Sequence, residues 1–268
     1  MPNNSSNTQR IQLQPAYVLH HRPYRDTSRI VELFTRDCGR LTVFARGVRG
    51  GKAGWAASLQ AFQPLLVSWS GRGEAGQLTA AELVGEPQNL PSARLMSGFY
   101  LNELLLKLLH VHDPHADIFE LYDSTVQALK SQADELSALR IFEKRLLHAL
   151  GYGLLLDREA ESGEPIQAER CYRFVLEHGL IQVSAAVNAA QGVYSGAALL
   201  ALLNEDLHDA QQRNEARYLL RAVLDRVLEG RRLQSREISA ELRHLQSNQP
   251  ISNQSISNKP RLVKPANE

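Results

Sequence analysis

The chain has 268 residues, enough for one large or two modest hydrophobic cores, with 30 basic side chains against 29 acidic ones and a formal net charge of +1. No run of about 18 apolar residues occurs, so no membrane span is predicted, and the polar start MPNNSSNTQR lacks the apolar stretch of a secretory signal. Cys38 and Cys171 give no disulfide framework and are expected as free thiols in a reducing cytoplasm.

Residues 1–10 are Asn/Ser-rich and expected to form a mobile arm. From 11 to 87 the pattern is short and β-like. AYVLH is a first strand; Ile30, Val31, Leu33 and Phe34, then Leu41, Val43 and Phe44, make the arms of a hairpin turning at Asp37-Cys38-Gly39. FQPLLVSW is another strand, and Gly71-Arg72-Gly73 turns the chain into QLTAAELV. About five short strands with glycine-rich turns suit a small closed barrel of OB-fold type, because closure removes exposed edges.

After Pro87 and Pro91 the period becomes helical. A helix is predicted from a Ser92 cap to His110, with Leu95, Phe99, Leu101, Leu104, Leu105, Leu108 and Leu109 buried. Asp113-Pro114 breaks it. A second helix carries Ile118, Phe119, Leu121, Tyr122, Val126 and Leu129; a third, from about Ala133, turns Leu136, Leu139, Phe142, Leu146, Leu147 and Leu150 inward and ends at Gly151. Residues 157–183 interrupt the helices, and CYRFVLEHGLIQVS alternates about a His178-Gly179 turn as a small hairpin. Ser195 is placed to cap another helix; one from about Ala210 runs to Gly230, and RRLQSREISAELRHL forms the last. The whole is α+β: a β-barrel at 11–87, a helical domain at 91–246 with its hairpin insertion, and a polar tail at 247–268 expected to be disordered.

The neutral total conceals an asymmetry. The first 75 residues hold ten basic side chains against Asp26, Glu32, Asp37 and Glu74, a net of about +6, which leaves about −5 for the rest. Much of the excess lies in YRDTSRIVELFTRDCGRLTVFARGVRGGK, more cations than a short sheet needs for folding and the pattern expected opposite a polyanion.

No catalytic constellation accompanies it: G-x-S-x-G and H-E-x-x-H are absent, and Glu159, Glu161 and Glu164 read as solvated charges. GVRGGKAG lacks the spacer of a phosphate loop and has Ala53 where Mg²⁺ needs a hydroxyl. His110, His112 and His115 straddle the Asp113-Pro114 break, so a shared metal face is not expected. The expectation is a binding protein without catalysis, metal or cofactor.

The blocks YRDTSRIVELFTRDCGRLTVFARGVRG, LQAFQPLLVSWSGRGE, YLNELLLKLLHVHDPH, LRIFEKRLLHALGYGL and LEGRRLQSRE are long, ordered and correctly spaced. With them the chain resembles the bacterial recombination mediator RecO family from about Ile11 to Leu245. The resemblance implies an OB-fold followed by a helical domain, binding of single- and double-stranded DNA, annealing of complementary strands, and cooperation with RecR in placing RecA on DNA coated by single-strand-binding protein, in the cytoplasm at the nucleoid. By position in the family's basic blocks, Arg22, Arg25, Arg29, Arg40, Arg46, Arg49, Lys52 and Arg72 are the expected phosphate contacts. Gly47, Gly50 and Gly51 would admit the backbone closely. Tyr24 and Trp55 are stacking candidates, whereas Trp69, inside an apolar strand, reads better as core. The family's helical domain captures the acidic, apolar-ended C-terminal tail of single-strand-binding protein. LRIFEKRLLHAL offers Arg140 and Lys144 as leading charges beside Arg145, with Phe142 and Leu147 as the apolar slot. Some members carry a four-cysteine zinc cluster in the interrupting segment; Cys171 alone stands there, so no zinc is expected. The alternative reading is a general OB-type nucleic-acid-binding regulator without mediator activity.

Overall fold

The strand pattern closes into a barrel. The structure is a computed structural model that describes residues 9–47, 58–71 and 75–247. Strands β1 (Gln9–Tyr24), β2 (Ser28–Thr35), β3 (Gly39–Ala45), β4 (Leu65–Gly71) and β5 (Ala75–Leu83) pair in the order β1-β2-β3-β5-β4 and back to β1, antiparallel except between β3 and β5. This is an OB-like barrel. β1 begins inside the segment expected as an arm, since Gln9 pairs with Gly71 and Arg10 with Ser70. The tail from 248 onward lies outside the described residues.

Alternation along each strand gives the barrel two apolar faces. Ala16, Val18, Leu33, Leu41, Val43, Val67 and Trp69 fill the interior. The intervening Tyr17, Leu19 and Phe34 point outward and belong instead to the core of the helices. Trp69 is core, as its strand implies.

Six α-helices follow among the described residues: α1 (Leu95–Leu108), α2 (Ala116–Lys130), α3 (Glu135–Ala149), α4 (Gly196–Asn204), α5 (Ala210–Val227) and α6 (Gln234–Ser247). Ser92 opens a single 3₁₀ turn before α1 and makes no cap hydrogen bond, so the α-helix starts at Leu95, not at Ser92. Asp134 caps α3 by accepting from the backbone N–H of Leu136 and Ser137; Ser195 caps α4 through Ala198 N–H. Gly151 ends α3 at φ +84°. Leu95, Phe99 and Leu136, expected inward, are exposed, because the apolar circumference of α1 and α3 exceeds what their neighbours cover.

The interrupting segment forms a three-stranded sheet, β7 (Gly179–Val183), β6 (Cys171–Val175) and β8 (Val193–Ser195), with Tyr172, Leu180 and Tyr194 buried in the helical core. Glu159 is no solvated charge: it is buried, and its carboxylate accepts from the N–H of Glu161 (3.1 Å), the hydroxyl of Ser162 (2.6 Å) and the N–H of Gln182 (3.4 Å). A carboxylate thus organises the turn between Arg158 and Pro165.

Barrel and helices are joined by buried polar contacts within an aromatic cluster. Tyr17 packs against Phe119 and Tyr122, with ring centroids at 5.8 and 5.0 Å, and its hydroxyl donates to the Asp123 carboxylate. Asn102, 2 % exposed, donates to the Leu19 carbonyl (2.8 Å) and accepts from the Tyr122 hydroxyl (2.6 Å). Gly39, at φ +68°, lets the β2–β3 turn meet Asp113, whose carbonyl oxygen would lie 2.1 Å from any Cβ placed there. Replacing Asn102 by Ala strands a buried carbonyl and a buried hydroxyl, and should cost about 2–4 kcal/mol of unfolding free energy in a denaturant titration.

Candidate nucleic-acid interface and arginine cavity

The side of the barrel left open by the helices is the far end of the β1–β2 hairpin. Register places Arg22 beside Ile30, Ile30 beside Phe44, and Tyr24 beside Ser28 on one outer face; Arg46 follows β3 with the outward parity of Thr42 and Phe44. The Tyr24 ring meets the Phe44 ring at 5.3 Å, and the Arg25 guanidinium lies 5.3 Å from the Tyr24 centroid. Arg22, Tyr24, Arg25 and Arg46 are exposed. Arg22, Arg25, Arg29 and Arg46 take part in no ion pair among the described residues. Arg29 is half-buried opposite Ala45; burial, with the Arg29 charge next in importance, lowers the pKa of His21. Three of the expected phosphate contacts, Arg22, Arg25 and Arg46, therefore share the outer face of one aromatic pair, of which sequence reading had named only Tyr24, while Arg29 has the opposite parity. Phe44 was taken for the apolar run of its strand; its outward parity with Arg40 and Thr42 was the signal that could have found it.

Arg40 does not join them. It is half-buried at the other end of β3, 3.9 Å from Glu32, its backbone carbonyl accepting from His112 N–H, and it lines the seam between barrel and helices near Lys107 and His110. Arg49, Lys52, Arg72, Gly50, Gly51 and Trp55 lie outside the described residues.

On the helical body the four residues expected to receive a peptide do not form one surface. Phe142 and Leu147 are fully buried in the core, so they offer no slot. Lys144 donates to the carbonyls of Leu202 (3.1 Å) and Leu203 (2.7 Å) and pairs with Glu205 at 3.0 Å, closing the C-terminal end of α4. Arg145 pairs with Glu205 as well. Arg140 turns the other way, into a cavity of about 420 Å³ between α1, α3, α5 and α6. Arg217, Arg221 and Arg236 also line this cavity, and Met96, Leu136, Leu139 and Ala240 give it apolar walls. Arg236 stacks 5.6 Å from the Tyr100 ring centroid, and Arg221 lies 3.6 Å from Asp225. Sequence reading missed these three arginines. Arg217 and Arg221 stand four apart on the polar flank of α5, and Arg236 lies in the block LEGRRLQSRE, but nothing in their spacing says that the two helices converge.

Hydrogen bonds from Arg145 and then Lys144 hold the Glu205 carboxyl below the usual carboxylate range. A lowered carboxylate stabilises the fold above its unfolded-state pKa and loses that contribution as acid protonates it. Lys144→Met should therefore cost about 1–2 kcal/mol at neutral pH, and the difference from the parent chain should shrink as the pH falls below the usual carboxylate range, read as thermal midpoints across a pH series.

A five-stranded OB-like barrel with arginines around a solvent-facing aromatic pair is followed by a helical body with its own arginine cavity, and no described helix is long and apolar enough to cross a membrane. Residues 10–87 match the family model described as Recombination protein O N terminal, and residues 92–237 match Recombination protein O C terminal. The DNA repair protein RecO of Methylococcus capsulatus is 46 % identical over 229 residues, 85 % of this chain and 93 % of that protein. The DNA repair protein RecO of Alkalilimnicola ehrlichii is 47 % identical over 234 residues (87 % and 92 %), and that of Coxiella burnetii RSA 331 is 40 % identical over 232 residues (86 % and 99 %). The chain belongs to the recombination protein O family, and its role lies in DNA repair and recombination.

Proposed function

We propose that this chain binds single- and double-stranded DNA on the barrel, anneals complementary strands there, and docks on single-strand-binding protein by holding that protein's acidic C-terminal tail in the arginine cavity. The observation that carries the reading is the outer face at the hairpin end. There Arg22, Arg25 and Arg46 surround the Tyr24–Phe44 pair without acidic partners among the described residues. Guanidinium groups neutralise phosphates, exposed rings stack bases, and screening two backbones lowers the repulsion that opposes annealing. Arg29 at the barrel mouth extends the same phosphate track. The cavity supports the tail: four arginines line it, Arg217 without a carboxylate partner among the described residues, and the apolar walls receive an apolar terminus. Cooperation with RecR and placement of RecA complete the mediator role.

The decisive experiment anneals oligonucleotides precoated with single-strand-binding protein, intact or lacking its tail; annealing indifferent to the tail would remove the docking part of the proposal. Single-strand affinity should fall with salt at a log–log slope of about −3 to −4, and Arg22→Glu with Arg46→Glu should flatten it by about 1.4, near 0.7 for each phosphate lost. Fluorescence anisotropy across a salt series measures this, and an unchanged slope would move the DNA site elsewhere. Arg217→Glu with Arg221→Glu should weaken tail-peptide binding by about tenfold or more, whereas Lys144→Met should leave it unaltered in the same titration.

A further inference from the structure

The arginine cavity contains a carboxylate, paired with Arg140 through one oxygen, whose second oxygen has no donor. Glu143, on α3, is 1 % exposed and forms part of the cavity wall. One carboxylate oxygen, Oε1, accepts from the Tyr100 hydroxyl at 2.6 Å and from Arg140 at 2.8 Å. The other, Oε2, is buried, and no described residue donates to it. A buried carboxylate oxygen without a donor has given up hydration and received nothing in return.

Two kinds of anion could answer the arginines, and Oε2 separates them. A phosphodiester backbone carries acceptors only, so a phosphate drawn in by Arg217, Arg221 and Arg236 would bring its oxygens toward a carboxylate oxygen that needs a donor. An extended acidic peptide alternates carboxylates, which pair with the arginines, with main-chain N–H groups, which are the donors that Oε2 lacks. We propose that Glu143 is the specificity-determining residue of this cavity: its free oxygen accepts a main-chain N–H of an acidic peptide, and its charge keeps nucleic acid off the arginines. The inference rests on reading the cavity as the tail site, and it adds the means by which a DNA-binding protein keeps a cationic pocket free for a peptide.

The groups facing Glu143 are Tyr100 from α1, Arg140 on its own helix, Arg217 and Arg221 from α5, and Arg236 and Glu237 from α6, with Asp225 behind Arg236. Burial pushes the Glu143 carboxyl up, against the pull of Arg140. Acid therefore neutralises the filter, and falling pH acts in the direction of Glu143→Gln.

The test uses the full-length chain and Glu143→Gln, which keeps the side chain's shape. A labelled aspartate-rich peptide ending in Leu-Phe with a free carboxylate is bound, then challenged with an unlabelled single-stranded oligonucleotide. The parent chain should retain the peptide, while Glu143→Gln should release it at oligonucleotide concentrations about tenfold lower. Among peptides methylated at single main-chain nitrogens, one should lose about tenfold in affinity for the parent chain and much less for Glu143→Gln. Equal displacement from both proteins, or no methylation that distinguishes them, overturns the proposal. If the peptide does not bind the parent chain, the tail reading fails separately. The filter is then decided by DNA alone: the salt slope of Glu143→Gln must be steeper by about 0.7 for each added phosphate, and an unchanged slope overturns it.

Discussion

The arrangement depends on strands β1 and β2 serving two cores at once. Ala16, Val18 and Leu33 point into the barrel, while Tyr17, Leu19 and Phe34 point into the helical body. A two-residue period makes this unavoidable: a strand apolar on both faces must be covered on both. The helices cover the outer face through Phe119 and Tyr122, and Asn102 ties Leu19 to Tyr122 in a place where water cannot substitute. What remains open on that outer face is the hairpin end, and there the apolar pattern gives way to Arg22, Tyr24, Phe44 and Arg46. The position of the proposed DNA surface follows from where the helices stop.

Charge is sorted by a similar logic. Several cations of the helical body close helix ends. Arg94 donates to carbonyls at the end of α2 (Ala128, Leu129, Ser131), Lys144 to those of α4, and Arg231 to Val227 and Leu228 at the end of α5. Each interaction is worth only a few tenths of a kcal/mol to about 1 kcal/mol, yet it fixes a long side chain and withdraws it from ligand binding. The cations that matter for partners are those without such duties, and a count of basic residues does not reveal which they are.

That distinction also marks what could be read from the sequence. The barrel strands, the Asp113-Pro114 break, the Ser195 cap and the hairpin about His178-Gly179 are dictated by neighbours a few residues away, and local chemistry was sufficient to find them. Helical period turns Phe142 and Leu147 inward, where they lie; the apolar slot that the family resemblance assigned to them is closed by that same burial. Arg140 and Lys144 are four residues apart and near neighbours on α3, but their long side chains bend to different helices: one meets Tyr100 and Glu143 beside α1, the other the end of α4. Arg217, Arg221 and Arg236 become a site only when α5 and α6 are brought together, a contact across some 15 residues that no local pattern encodes. The Glu159 carboxylate takes its closest donors from Glu161 and Ser162 next to it, and only its burial, with Gln182 donating from the inserted sheet, depends on distant chain.

The interface that divides the barrel surface also couples the two proposed sites. With Tyr17, Leu19 and Phe34 buried among the helices, the hairpin end and the arginine cavity are carried by one packed body in place of two tethered domains. Under the proposed function, tail capture on coated DNA then fixes the barrel's position near the strand, and the second contact forms at high effective concentration without the loss that a flexible linker would impose. Two weak, salt-sensitive contacts held at a fixed separation give retention that neither provides alone. The gain requires each site to keep its own ligand. Under the same proposal, an arginine cavity open to phosphate would compete with the barrel for DNA, and the second oxygen of Glu143, without a donor, opposes that exchange because a phosphodiester backbone brings no N–H.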